Sequence, residues 1–89
     1  MYRPSFTGQF KQDRKKARKR GADIGHLDRV LATLIEGKPL DARYRPHTLS
    51  GRYNKHWECH VEPDFLLIWH YAPNQEIVFV RTGTHADLF

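Results

Sequence analysis

A chain of 89 residues with 15 Lys or Arg against 10 Asp or Glu has a formal net charge of +5 and a pI near 9.7. It is sized for one modest core, and its charge suits a polyanionic partner such as nucleic acid, the ribosome or an acidic protein. With no run of about 18 apolar residues and no apolar stretch behind a basic N-terminus, membrane spanning and secretion are not expected and the cytoplasm is the default, which the single Cys59 fits because one thiol forms no intrachain disulfide.

Met1 to Ser5 reads as a short edge strand, where Pro4 does no harm because its missing N–H would face solvent. Thr7-Gly8 starts a helix that runs to Arg20, with Phe6, Phe10 and Ala17 at helical intervals. Between Lys11 and Arg20 there are seven Lys or Arg and one Asp. A solvated face is one reading of this run; a phosphate-contacting helix is the other, favoured by the lack of Glu partners for Lys15, Lys16 and Lys19. Gly21 ends that helix and Asp23 caps the next, whose Ile24, Leu27, Val30, Leu31, Leu34 and Ile35 make an apolar stripe stopped by Gly37-Lys38-Pro39. His26 on this second helix is expected at the solvent face.

From Pro39 to Lys55 the chain is irregular and basic, and it carries His47. Trp57 to Glu62 alternates, with Trp57, Cys59 and Val61 on one face and Glu58, His60 and Glu62 on the other. Pro63-Asp64 turns into two apolar runs, Phe65 to Tyr71 and Ile77 to Val80, joined by Ala72-Pro73-Asn74-Gln75-Glu76 as a hairpin. The expected fold is a single α+β domain over residues 1–89, with an N-terminal strand and a two-helix hairpin packed on a small antiparallel sheet.

That hairpin carries His60 and Asp64 before its first strand and Arg81 and His85 after its second, and the antiparallel fold-back sets the two ends side by side. Two imidazoles, a carboxylate and a guanidinium there make an acid–base set with a cation for anionic oxygen, suited to phosphodiester chemistry. His56 and His60 share a strand face but stand roughly 13 Å apart, too far for one metal. There is no His-Glu-x-x-His, phosphate-loop or Gly-x-Ser-x-Gly pattern. Metal-independent chemistry without a cofactor is expected.

His47, the run His60-Val61-Glu62-Pro63-Asp64, the run Arg81-Thr82-Gly83-Thr84-His85 and the terminal Leu88-Phe89 resemble the YafQ type of bacterial toxin within the RelE/ParE superfamily, over essentially the whole chain. The resemblance implies a RelE-like fold and a ribosome-dependent endoribonuclease that cuts mRNA in the decoding site and is neutralised by a cognate antitoxin. It implies functional roles for His47, His60, Asp64, His85 and Phe89, with Asp64 and His85 as the proton-transfer pair. Phe65 stands where the family often has Trp, and Glu58 where an Asp is familiar.

Internal attack on RNA needs a base for the 2′-OH, an acid for the leaving 5′-oxygen and positive charge beside the phosphorane, posts that Asp64, His85 and Arg81 are expected to fill. A contact to ribosomal RNA would come from the basic helix. Two alternatives stand beside this reading: a ParE-like toxin acting on a protein such as gyrase, and a non-enzymatic RNA- or ribosome-binding domain.

Overall fold

The computed structural model describes all of residues 1–89. Strand β1 (Arg3–Phe6) leads through Thr7 into helix α1 (Gly8–Lys19), and helix α2 (Ile24–Ile35) folds back beside it. Single 3₁₀ turns at Ala42–Tyr44 and Gly51–Tyr53 flank the two-residue strand β2 (His47–Thr48). Strands β3 (Trp57–Glu62), β4 (Phe65–Ala72) and β5 (Glu76–Gly83) follow, and a one-turn helix α3 (His85–Leu88) ends the chain. No helix is long and apolar enough to cross a membrane.

Local chemistry sets these boundaries. The Thr7 hydroxyl accepts the Phe10 N–H at 2.9 Å and the Asp23 carboxylate accepts the His26 N–H at 3.0 Å, so both helices start on side-chain caps. Each ends in a left-handed glycine: Ala22 N–H donates to Ala17 and Gly21 N–H to Arg18 at the end of α1, and Lys38 and Gly37 repeat the pattern on Thr33 and Leu34. These paired bonds satisfy the last carbonyls of each helix.

The sheet runs β1-β5-β4-β3-β2. It is mixed, because β1 lies parallel to β5 while every other pair is antiparallel. The sequence reading placed β1 at the edge and expected an antiparallel sheet, from which the parallel β1–β5 pair departs. The helical pair between β1 and the rest of the sheet supplies the long connection a parallel neighbour requires.

One face of the sheet carries the main core, in which Cys59, Val61, Phe65, Leu67, Trp69, Ile77 and Phe79 meet Phe10, Leu27, Val30, Leu31 and Leu34 of the helices. Large side chains as fully buried as Trp69, Phe79 and Leu27 each contribute roughly 1.5–3 kcal/mol through lost water contact. The opposite face has a small core of its own, Tyr53, Leu66, Ile68 and Leu88. It fastens the second 3₁₀ turn and α3 over the middle of the sheet, which sets the histidines around them.

Two register shifts break the strict alternation of the sequence. Between β3 and β4 the pairing slips between His60 and Glu62, so Glu62 lies opposite the core residue Phe65. The bulge turns Glu62 away from the His60 face and toward α2. Between β4 and β5 it slips between Ile68 and Trp69, setting Arg81 opposite Ile68.

Candidate active site

The histidine cluster forms on the face opposite the helices. β2 pairs His47 with Glu58, β3 presents His60 two residues on, and α3 begins at His85. The ring centroids of His47 and His60 are 6.3 Å apart and those of His60 and His85 are 5.7 Å apart. One phosphate with its flanking oxygens can span such gaps.

Asp64, in the β3–β4 turn, accepts two hydrogen bonds at one oxygen: the His85 backbone N–H at 2.9 Å and His85 Nδ1–H at 2.7 Å. Those two bonds hold its carboxyl below the usual carboxylate range. Because Nδ1 is committed to the carboxylate, Nε2 is the atom His85 offers outward.

The mount for His85 is built by Thr84 and Asp87. Thr84 and Asp87 form a reciprocal capping box, and the Asp87 carboxylate also pairs with Arg20 at 2.8 Å and Lys16 at 3.4 Å of α1. Bonding to the Thr84 N–H and to Arg20 drives the Asp87 carboxyl far below the carboxylate range, against a smaller opposing effect of burial. A Cβ on Gly83 would come within 2.9 Å of that carboxylate, so glycine is required for the close approach.

His60 Nδ1 faces the Pro63 carbonyl at 3.2 Å. A carbonyl only accepts, so Nδ1 carries the hydrogen, and Nε2 lies 4.0 Å from Glu58 Oε1. His47 has oxygen on both sides, the Arg45 carbonyl 2.7 Å from Nδ1 and Glu58 Oε1 3.1 Å from Nε2. Glu58 was assigned to an exposed face by alternation, but it is only 5% exposed and its Oε2 has no partner.

Arg81 is held by Asp13. Its Nε and Nη2 donate to both oxygens of Asp13 at 2.7 and 3.0 Å, and Thr82 N–H adds a bond at 3.2 Å to the same carboxylate. Asp13 is 7% exposed. This buried fork ties α1 to the stretch of β5 beyond the end of β1, so Arg81 has a structural partner that the sequence reading did not foresee.

Phe65 also departs from expectation. At 6% exposure it belongs to the main core and offers no face to a substrate. Phe89, by contrast, is 64% exposed and sits edge-on to Tyr53 with centroids 5.8 Å apart, at the rim of the cluster. On α1, Lys15 and Lys19 are exposed and free of ion pairs, while Lys16 is shared with Asp87.

His26 is not at the solvent face as read from sequence. It is half-buried between Glu62, which its Nδ1 meets, and the Tyr44 hydroxyl, 2.8 Å from its Nε2. Asp23, His26 and Glu62 bring one ligand atom each within 4.8 Å of one another, a grouping able to hold a cation. All three already bond within the protein. Cys59 is wholly buried, and burial together with neighbouring Glu58 pushes its thiol up to about 12, which removes it as a nucleophile.

The sequence reading missed Tyr53, whose burial anchors Phe89 and α3, and the Arg20–Asp87 pair. The second had a signal: Thr84-x-x-Asp87 ahead of Leu88 has the spacing of a capping box.

A family model described as the bacterial toxin of the type II toxin–antitoxin system, YafQ, matches residues 2–89. The chain is 40% identical over 85 residues to the mRNA interferase toxin YafQ of Escherichia coli strain K12, covering 94% of this chain and 91% of that protein. The crystal structure of YafQ from E. coli strain BL21(DE3) superposes with a TM-score of 0.93 at 37% identity, over 100% of this chain and 99% of the other. YafQ in the crystal structure of the E. coli DinJ–YafQ toxin–antitoxin complex matches with a TM-score of 0.90 at 38% identity, over 99% and 97%.

Proposed function

The chain belongs to the YafQ family of type II toxin–antitoxin toxins, and from that premise we propose that it is an mRNA interferase that cuts mRNA in the decoding site of the ribosome. The single observation that carries the reading is the Asp64–His85 pair facing His60 across 5.7 Å. It is an acid and a base at the spacing of one phosphodiester.

In this mechanism the substrate 2′-oxygen attacks its own 3′-phosphorus as His60 Nε2 takes the 2′-proton. The bond from phosphorus to the 5′-oxygen breaks, and His85 Nε2 gives that oxygen its proton. The products are a 2′,3′-cyclic phosphate and a 5′-hydroxyl. Asp64 is the positioning residue: it fixes the His85 ring and stabilises the imidazolium, as carboxylates do for catalytic histidines elsewhere. Its lowered basicity fits this role better than that of the base expected from sequence. His47, beside Glu58, is placed to supply positive charge near the phosphorane.

Phe89 is the platform for an unstacked base. Lys15, Lys19 and the exposed Arg18 form the ribosomal RNA contact. The ribosome supplies the in-line geometry of a fixed codon, a service worth orders of magnitude in rate to so small an enzyme. A cognate antitoxin holds the toxin inactive, on the pattern of the E. coli complex.

Primer extension on an mRNA translated in a purified system tests the proposal. Cleavage is expected only on translated message, and a 2′-deoxy nucleotide on the 5′ side of the scissile bond should abolish it. Cutting of that deoxy substrate, or no cutting of translated message, overturns the reading.

A further inference from the structure

Beside the histidine cluster lies a cavity of about 370 Å³ between the first turn of α2, the 3₁₀ turn Ala42–Tyr44 and the end of β3. His60 forms part of its wall, so it opens directly onto the cluster. Its volume lies within the range of small-ligand sites. No part of the mechanism above uses it.

Its lining is not a generic polar surface. Arg43 and Arg45 stand on one wall, both exposed and neither in an ion pair. The Arg43 guanidinium lies over the Tyr44 ring, 4.8 Å from its centroid, and Nη2 donates to the Tyr44 hydroxyl at 2.9 Å. That hydroxyl meets His26 Nε2, and His26 Nδ1 meets Glu62 Oε2. The relay Arg43–Tyr44–His26–Glu62 thereby fixes a guanidinium at one end and a carboxylate at the other. Glu62 keeps its second oxygen unbonded, with the side chain 44% exposed. Arg45 sits in the left-handed region, with φ 52 and ψ 51. For a residue with a Cβ this conformation costs free energy, and such positions concentrate at functional sites.

From this geometry, and resting on the nuclease reading above, we infer that the cavity is the subsite for the nucleotide next to the scissile phosphate, and that it selects a base with an exocyclic amino group. The guanidinium of Arg43, held by the Tyr44 hydroxyl, is the stacking surface, since single-stranded bases stack on arginine planes as they do on aromatic rings. Arg45 takes the adjoining phosphate. The free Glu62 oxygen accepts the amino hydrogen, the pairing a carboxylate makes with the N4 of cytosine. Uracil, which turns a carbonyl oxygen to the same place, meets a carboxylate with no donor between them. The bulge at the end of β3 is what brings Glu62 to this cavity, and the βα contact through His26 holds it there.

Cytidine against uridine is the cleanest probe, because the rings match in size and differ at that one group. In the translating system, matched mRNAs carrying either base at each position flanking the cut should differ about 10-fold or more in kcat/KM at one flank, the scale on which sites built to hydrogen-bond a group reject its absence. Glu62→Gln, whose amide can also donate, should bring the ratio near one. Arg43→Lys keeps the charge and loses the plane, and should raise KM several-fold with kcat little changed.

Loss of folded protein would lower both substrates alike and leave the ratio intact. A ratio of one in the wild type at both flanks, or a ratio untouched by Glu62→Gln, overturns the inference. An NMR titration of the unmodified chain with cytidine and uridine 5′-monophosphates separates it from the nuclease reading. If no message is cut, shifts of the His26 and Tyr44 ring signals by the cytidine nucleotide alone still support the subsite. The absence of such shifts there removes the subsite as well.

Discussion

Replacing Asp64 by asparagine distinguishes a positioning carboxylate from a catalytic base. One oxygen, Oδ1, accepts both the His85 backbone N–H and Nδ1–H. An asparagine can keep that oxygen in place, so the variant retains both hydrogen bonds and loses only the charge. The Asp64 and His85 side chains are 64% and 55% exposed, and water screens a pair as open as this. The expected loss is therefore small, roughly 10-fold in kcat, against ~10²–10⁴-fold for His85→Ala, which removes the proton donor itself. Asp64→Ala, which removes the bonds too, should fall between the two. Single-turnover cleavage on stalled ribosomes loaded with one codon reads these rates, and ribosome pelleting shows that all three variants still bind. A carboxylate that takes the 2′-proton gives a different ranking, because asparagine is no base. In that case Asp64→Asn would be as slow as Asp64→Ala and both would match His85→Ala. That result would refute the assignment of His60 as the base.

Arg81→Ala should act on stability first: it strands the buried Asp13 carboxylate, a loss of about 3 kcal/mol that a lowered urea midpoint would register. Changing Lys15, Arg18 and Lys19 together to Glu should weaken ribosome binding and flatten its salt dependence without moving that midpoint, since none of the three is in an ion pair; Lys16 is spared because it pairs with Asp87. Asp87→Asn should cost ~1 kcal/mol at neutral pH, the usual scale for a lost helix cap. The folded-state carboxyl of Asp87 lies below its ordinary value of 3.8, so its contribution is complete above about pH 4 and is lost as pH falls further; urea midpoints of the parent and the variant should converge in acid. The Cys59 thiol should resist iodoacetamide in the native chain and react once urea unfolds it.

How far the sequence carried depended on whether a residue's fate was set by its neighbours in the chain. The helices were legible because Thr7, Gly21, Asp23 and Gly37 are local punctuation and the α2 stripe has a clean period. The convergence of His60, Asp64 and His85 was legible for the same reason, since a short turn and a hairpin of fixed direction leave little freedom for where their ends meet. Period-two alternation failed at Glu58, which is buried, and at Glu62. Glu62 and Arg81 both lie just past a register shift, and one extra residue on one strand reverses the face of everything beyond it. Nothing local marks either bulge.

The partners of Arg81 and Phe65, Asp13 and the α1–α2 core, are distant in the chain and so were not legible in the sequence. A guanidinium next to a catalytic motif looks the same in sequence whether it faces a phosphate or a buried carboxylate. The two bulges share one consequence, because the turn of Glu62 toward His26 and the capture of Arg81 by Asp13 each link the helical layer to the sheet end that carries the histidines. Helix α1 and the mount of His85 are thus joined, through Arg81 to Asp13 on one side and through Asp87 to Arg20 on the other. On the proposed function, a polyanion gripping the basic helix would act on the histidine cluster through these two ion pairs.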